Sequence, residues 1–231
     1  CQAHYPVIDD IPDLRVALDC WIDLDEDRKR AREAADRVER DGLEATIHHI
    51  FRSSRGMDER KAGYRTRQVL AGVGKCQSQC SDWLRPALEA DGVILEIGYG
   101  PGQMMAAAAS LGHEKTGIDV SMEWLVIARH LAEHYGGSPR LAAGFAERLP
   151  LADNSVAAIV SLDVIEHVGD QDAYVSDLRR VLKPGGFFGL STPNRFSLSP
   201  EPHVNVWGVG YLPRSLQARY VKLVKNQPYT F

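Results

Sequence analysis

The first ninety residues carry helical patterning and lack the alternation of apolar and polar positions that is typical of strands. Acidic and basic residues spaced four apart, with Gly42 near the end, indicate a solvated helix over 27–40. The helices predicted in this part are 27–40, 47–51, 58–70 and 78–90. Residues 1–25 are interrupted by Pro6 and Pro12, so we expect irregular or short extended structure there.

The rest of the chain alternates apolar strands with helices. The strands are predicted at 93–97, 116–120, 141–143, 155–161 and 187–191. Helices are expected between the strands, including 103–111 and 171–182. A further helix is indicated at 124–135, where the apolar residues fall on one helix face. Buried-type strands that alternate with helices predict a parallel sheet with helices on both faces. After Pro193, polar and aromatic residues indicate a lid, followed by a helix over 215–225.

Composition and charge narrow the functional classes. The 231 residues are 44% hydrophobic and 25% charged, which is typical of a globular chain with one main domain. The net charge of −4 gives no bulk attraction to nucleic acid or anionic membranes, and no apolar run reaches the roughly 18 residues of a membrane span. The four cysteines form no CxxC pair, so we expect a cytoplasmic protein without a disulfide framework.

The segment EIGYGPG (96–102) follows the first strong strand, at the end where open α/β sheets bind ligands. Its glycines permit a tight turn and a close approach of ligand to backbone, although a plain strand-to-helix turn also uses glycine. The third glycine comes one residue too early for the dinucleotide fingerprint, which weakens a nicotinamide interpretation. Glu96 would repel a pyrophosphate and attract a positively charged ligand.

The second strand ends at Asp119, about 20 residues after the first glycine of the loop. That spacing is typical of an acid that accepts ribose hydroxyls, so it indicates an adenosine-type ligand. Alternatively, Asp119 caps the helix that begins at Ser121, since both residue types are favoured at helix starts.

With these residues in place, 91–194 resembles the class I S-adenosylmethionine-dependent methyltransferases, and more loosely their ubiquinone-pathway O-methyltransferase subgroup. Four landmarks occur in order: EIGYGPG (96–102), GIDVS (117–121), AERLPLADNSVAAIVSLDVIEHV (146–168) and RVLKPGGFFGLSTPN (180–194). The resemblance implies a Rossmann-like, doubly wound, mostly parallel α/β sheet. It also implies S-adenosylmethionine as the cofactor and S-adenosylhomocysteine as its product.

The resemblance assigns a cofactor site residue by residue. The glycine loop with Glu96 would line the methionine end, Asp119 would hold the ribose, and 145–147 would flank the adenine. The expected cofactor-binding residues are Glu96, Gly98, Tyr99, Gly100, Gly102, Asp119, Val120, Phe145, Ala146, Glu147 and Asp163. Phe145 departs from the family, because many relatives have an aspartate there that bonds the adenine amino group. We expect a ring contact in its place.

Four segments are therefore expected. They are an irregular N-terminal segment (1–25), a helical cap (26–90), the Rossmann-like S-adenosylmethionine-binding domain (91–194) and an acceptor-binding lid (195–231). This fold usually ends with a helix and an antiparallel strand pair, so we expect either that the lid segment is truncated or that its last strands are irregular. Residues 1–14 resemble the end of a zinc-ribbon-like module with Cys1 as its last cysteine. Its partner cysteines are absent, so we predict no metal there.

Two histidines are candidate catalytic bases for an oxygen acceptor: His167, after the fourth strand, and His203, after the fifth. The candidate substrate contacts are Asn194, Arg195, Asn205 and Trp207. A histidine at a helix start also serves as a cap or in packing, and Trp207 also suits lid packing. Asp163, Glu166 and His167 match positions at which some ubiquinone-pathway relatives hold a divalent cation. The same string occurs in relatives without a metal, and we predict none.

The expected function is methyl transfer to an oxygen atom of a small-molecule acceptor, and no nucleic acid partner is expected. The sequence does not determine the oligomeric state. Three alternatives remain: a protein or RNA methyltransferase, a nicotinamide-dependent oxidoreductase, and a noncatalytic adenosyl-ligand-binding protein. A protein or RNA methyltransferase would need a basic face, for which the candidates are Arg52, Arg55, Arg60, Lys61, Arg65 and Arg67.

Overall fold

The computed structural model describes residues 4–16, 22–54, 56–82, 84–110, 115–201 and 204–229. The strands, in chain order, are β1 (Val7–Ile8), β2 (Ile11–Pro12), β3 (Val93–Ile97), β4 (Thr116–Asp119), β5 (Arg140–Ala143), β6 (Val156–Leu162) and β7 (Leu182–Ser191). The α-helices are α1 (Leu24–Asp41), α2 (Leu43–Ser53), α3 (Glu59–Ser81), α4 (Arg85–Leu88), α5 (Gln103–Ser110), α6 (Met122–His134), α7 (Gln171–Val181) and α8 (Arg214–Lys225). Short 3₁₀ turns cover Ile165–His167 and Val209–Tyr211.

Strands β3 to β7 form one parallel sheet in the order β5-β4-β3-β6-β7. The chain runs outward from β3 through β4 to β5, then returns to the other side of β3 to form β6 and β7. A crevice therefore opens between the loops after β3 and β6, where open α/β sheets bind ligands. The predicted doubly wound fold is confirmed.

Alternate residues of the strands form two cores on opposite faces of the sheet. On one face, Ile94 and Ala158 belong to the core that includes α4, α5 and α6. On the other, Leu95 and Ile159 pack with α7. Helices thus cover both faces, as the strand pattern predicts.

The helical part before the sheet differs from the prediction at one place. The pattern predicts two separate helices, 58–70 and 78–90. The structure has a single helix, α3, followed by the four-residue α4. Gly72 and Gly74 interrupt the pattern, because each costs a helix about 1 kcal/mol relative to alanine. Burial of Val73 and Cys80 in the core shared with α5 outweighs this cost. The helices predicted over 27–40, 47–51 and 215–225 correspond to α1, α2 and α8.

The N-terminal segment is attached to the sheet, which the sequence pattern does not indicate. Strands β1 and β2 pair as an antiparallel hairpin, with Ile8 and Ile11 buried. Asp13 forms a parallel bridge with Ala143, and the Leu14 N–H donates to the Ala143 carbonyl at 2.8 Å. The extended structure expected in this segment therefore continues the sheet beside β5.

The segment after β7 forms a loop, a 3₁₀ turn and α8 around a small core of Val204, Val206, Val209 and Val221. The Arg195 guanidinium connects the loop to the turn by donating hydrogen bonds to the Gly210 and Leu212 carbonyls at 2.7 and 2.8 Å. Over the described ranges, the helices are too short or too polar to cross a bilayer.

Candidate functional site

The three glycines of the loop after β3 have different roles. Gly98 (φ 73°) lies against Val164, whose side chain would overlap with a β-carbon at this position. Gly102 (φ 82°) lies beside α6, where a β-carbon would come within 2.7 Å of the Ala128 backbone. Gly100 (φ 50°) faces open space, with no described atom within 4 Å of such a carbon. Gly98 and Gly102 thus serve packing, while Gly100 leaves room for a ligand beside the backbone.

Asp119, at the end of β4, is bonded to this loop. Its Oδ2 accepts from the Gly100 N–H at 2.8 Å, and its Oδ1 accepts from the Ser121 N–H at 2.7 Å. Burial raises the pKa of Asp119, and these two N–H groups offset only part of that effect. The N-cap of α6 is Ser121, whose hydroxyl accepts from the Trp124 N–H. Asp119 retains a lone pair on each oxygen for a further donor.

Glu96, Tyr99 and Lys115 form a buried polar cluster beside the loop. Lys115 Nζ lies 3.9 Å from Glu96 Oε2. Among the described residues, these two atoms and the Tyr99 hydroxyl have no hydrogen-bond partner. Burial raises the pKa of Glu96 to about 7, an effect that Lys115 reduces and Asp119 increases. Lys115 is not among the residues predicted for the site, although a lysine directly before an apolar strand is a signal that could have marked it.

The loop after β5 carries the residues expected beside adenine: Phe145, Ala146 and Glu147. The Gly144 N–H donates to the Asp119 carbonyl at 2.9 Å, which ties this loop to β4. Glu147 accepts from the Gly169 N–H at 3.2 Å, and Ala146 packs in the core on the α7 side of the sheet. The loops after β4, β5 and β6 therefore meet at one edge of the sheet.

Side chains also join the loops after β6 and β7. Asp163 (φ 56°) accepts from the Ser191 hydroxyl at 3.1 Å, and Glu166 accepts from the Thr192 hydroxyl at 3.1 Å. His167 is exposed at the end of its 3₁₀ turn. In the described part of the chain, no three His, Cys, Asp or Glu side chains are grouped to hold an ion, and this includes Asp163, Glu166 and His167.

A cavity of about 610 Å³ lies between these loops and the segment after β7. Glu166 and Thr192 line it from the sheet side, and Tyr211 and Arg214 from the other side. Two of the expected substrate contacts, Asn194 and Arg195, belong to its lining.

The other two expected contacts, Asn205 and Trp207, are not part of that lining. The Trp207 ring stacks on Tyr211 with centroids 6.2 Å apart, and its Nε1 donates to the Leu198 carbonyl at 3.1 Å. Packing within the lid segment is therefore the role the structure gives Trp207. His203, the second candidate base, lies outside the described residues.

Val120 is held by the N-terminal part of the chain. Its carbonyl accepts from the Arg15 guanidinium at 2.7 Å, and the Met122 N–H two residues later donates to Asp27 at 2.9 Å. Arg15 and Asp27 are not among the residues predicted for the site, because charged residues in a polar segment resemble solvated surface. No sequence signal marks them as buried.

Residues 95–190 match the sequence model of a family described as a methyltransferase domain. These residues form a methyltransferase domain. Similar curated proteins are named S-adenosylmethionine-dependent methyltransferases, the type that the sequence landmarks predict. The expected zinc-ribbon-like remnant has no support in these comparisons, and Cys1 lies outside the described residues.

One similar curated protein is a probable S-adenosylmethionine-dependent methyltransferase of Mycolicibacterium smegmatis, 38% identical over 46% of this chain and 40% of its own length. Ubiquinone biosynthesis O-methyltransferases of Maricaulis maris and Cereibacter sphaeroides are 34% and 31% identical. They match over 57% and 64% of this chain and 53% and 58% of their own. The chain thus spans about half the length of these relatives. A solved Pyrococcus horikoshii protein is 22% identical, with a TM-score of 0.47, over 62% of this chain and 57% of its own.

Proposed function

We propose that this chain transfers a methyl group from S-adenosylmethionine to an oxygen atom of a small-molecule acceptor. The observation that carries the proposal is the hydrogen bond between the glycine loop and the aspartate at the end of β4. Gly100 leaves open space beside the loop, and Asp119 accepts its N–H at 2.8 Å while keeping lone pairs for a ligand. The methyltransferase domain supports the chemistry. The relatives named as O-methyltransferases support oxygen as the accepting atom.

The described residues fit S-adenosylmethionine. The free lone pairs of Asp119 suit the ribose hydroxyls, and 145–147 suit the adenine. One buried oxygen of Glu96 has no hydrogen-bond partner among the described residues, and an approaching ligand ammonium would favour the ionised form of this carboxyl. Tyr99, Val120 and Asp163 remain predicted contacts.

When bound, S-adenosylmethionine supplies a methyl group that its sulfonium already activates. The chain then has to orient the acceptor, exclude water and take up a proton. Orientation alone can supply roughly 7–11 kcal/mol in favourable cases. We infer that the loops after β3 and β6 provide it, because Val164 contacts Gly98 across the crevice.

Candidate bases for the acceptor proton lie in the turn after β6. His167 remains the first, since histidine is the side chain most often used as a general base. Glu166 is a second, because its carboxylate lines the cavity. His203 stays a prediction from the sequence.

The 610 Å³ cavity suits a small acceptor, because ligand pockets are commonly of roughly 300–1,000 Å³. Protein or RNA as acceptor is less favoured. Two residues of the expected basic face are paired with acids: Arg52 lies 3.7 Å from Glu59, and Lys61 lies 3.6 Å from Asp58. Arg55 lies outside the described residues.

Calorimetry with S-adenosylhomocysteine and with NADH tests the cofactor, and only the first should bind. Incubation with methyl-labelled S-adenosylmethionine and separated small-molecule, protein and RNA fractions tests the acceptor. Label should enter the small-molecule fraction, and fragmentation mass spectrometry should place it on oxygen. Binding of NADH alone would contradict the proposal, as would label in protein or RNA. Binding without any methyl release would indicate a noncatalytic protein.

A further inference from the structure

A buried ion-pair network joins the N-terminal segment to α1. Arg15 donates to Asp13 at 2.7 Å and to Asp27 at 2.6 Å, and all three side chains are fully buried. Arg28 also donates to Asp13 at 2.7 Å. Burial alone would raise the pKa of Asp13, but the hydrogen bonds from Arg15 and Arg28 outweigh it and lower the pKa. Asp13 is therefore held as a carboxylate between two arginines.

The same network bonds the loop between β4 and α6. Arg15 donates to the Val120 carbonyl at 2.7 Å. Asp27 accepts from the Met122 N–H at 2.9 Å and from the Ser121 hydroxyl at 3.3 Å. Two charged side chains thus hold three consecutive residues of the loop.

This loop begins directly after Asp119, and the Ser121 N–H in the loop is one of the two donors that orient its carboxylate. We propose that Arg15 and Asp27 are positioning residues that set the direction of the Asp119 carboxylate toward the ribose hydroxyls. The inference rests on the proposed function, since it takes an adenosyl ligand as given.

A contribution to folding stability alone does not account for this buried ion-pair network. Withdrawing charges from water costs several kcal/mol per ion, and apolar replacements of buried ion pairs are often neutral or stabilising. The partly buried carbonyl of Val120 and the buried N–H of Met122, in contrast, need polar partners with defined directions. The network supplies those partners, so it fixes the geometry of the loop in a way that apolar side chains do not.

A thermodynamic cycle between protein side chain and ligand hydroxyl tests the proposal. Calorimetry would give the Kd of S-adenosylhomocysteine and of its 2′-deoxy and 3′-deoxy analogues for the wild type, Arg15→Met and Asp27→Asn. For the wild type, removal of either ribose hydroxyl from the ligand should weaken binding roughly tenfold, as expected for the loss of a hydrogen bond to a charged group. Each variant should bind the parent ligand about tenfold more weakly. Each variant should also discriminate less between the parent ligand and its deoxy analogues, so that the ratio of the analogue Kd to the parent Kd approaches one.

Arg129→Met is the matched control. Arg129 fastens the same segment through Asp10 at 3.0 Å and Asp9 at 3.2 Å, and it does not bond residues 120–122. The Arg129→Met variant should discriminate between the parent ligand and the deoxy analogues as strongly as the wild type does. Equal weakening for all three ligands in Arg15→Met and Asp27→Asn would overturn the proposal in favour of general support.

Should Arg15→Met fail to fold, Asp27→Asn decides, because asparagine keeps the side-chain shape and removes the charge. Unchanged discrimination in that variant would overturn this proposal alone. A wild type that binds no S-adenosylhomocysteine would overturn the proposed function, and this proposal with it.

Discussion

Two carboxyl groups at strand ends have different surroundings, and these surroundings suit them to different tasks. Asp119 accepts two backbone N–H groups at 2.7 and 2.8 Å, which fixes its direction. Glu96 lies 3.9 Å from Lys115 and has a buried oxygen without a hydrogen-bond partner among the described residues. A fixed acceptor suits neutral hydroxyls, whereas a buried carboxyl with an unused acceptor oxygen gains most from an incoming cation.

Gly100→Val tests the open space beside the loop. The side chain would occupy that space, so we expect binding of S-adenosylhomocysteine to weaken on the order of 100-fold or more by calorimetry. Gly136→Val is a matched control, because Gly136 also has positive φ (80°) and no described atom near its β-carbon position. Both variants should lose about 1–3 kcal/mol of unfolding free energy to backbone strain. Equal ligand affinity in the two would contradict the placement of the ligand at Gly100.

The pKa of Glu96 predicts a pH-dependent stability. Its ordinary value of 4.5 rises to about 7 in the folded chain, so between these values the unfolded state ionises first. Stability relative to Glu96→Gln should be highest below pH 4.5 and fall by about 3 kcal/mol as pH rises to about 7. Above that pH the difference should be constant. Urea unfolding of both proteins from pH 4 to 8 measures it, and a flat difference would contradict a raised pKa.

The sequence predicts strand-end residues of the site better than its supporting charges. Glu96 and Asp119 lie near the carboxyl ends of apolar strands, and the end of a strand is a local property. Lys115 and Arg15 look like surface residues in the sequence. They are buried with Glu96 and with Asp13 and Asp27, and no local pattern records that these charges are buried together.

At the scale of elements, continuous apolar runs specify the parallel strands, because a strand buried on both faces has little choice of side chain. Helix ends in glycine-containing segments are harder to predict. The break expected after residue 70 does not occur, since packing of α3 on α5 overrides propensity. The attachment of the N-terminal hairpin to β5 is also hidden, because backbone pairing between distant segments leaves no periodicity.

Gly74→Ala tests the balance in α3. Gly74 is exposed, helical and free of described atoms within 4 Å of a β-carbon, so alanine should add about 0.5–1 kcal/mol to the unfolding free energy. Gly72→Ala is the comparison, because its β-carbon would lie 3.2 Å from Gln103 Nε2 and should gain less. Thermal or urea unfolding measures both. No gain from Gly74→Ala would mean that the unfolded chain already favours helix there.

At the scale of the whole molecule, the sheet divides the site into two halves. The segments at the ends of β3, β4 and β5 carry the residues predicted to hold the cofactor, except Asp163, which follows β6. The cavity lies against the loops after β6 and β7 and the segment that follows them. Val164, after β6, contacts Gly98, after β3, so the halves meet at the crevice where the strand order reverses. Methyl transfer between two bound molecules requires such a junction.

This division predicts that binding and turnover separate in variants of the second half. His167→Ala should leave the Kd of S-adenosylhomocysteine within about twofold of wild type, because all the predicted cofactor residues except Asp163 lie on other loops. Turnover with an identified acceptor should fall roughly 100-fold or more, the usual contribution of a general base. His49→Ala, at an exposed position on α2, is the control and should change neither quantity. Unchanged turnover in His167→Ala would exclude His167 as the base and direct attention to Glu166, whose carboxylate lines the cavity.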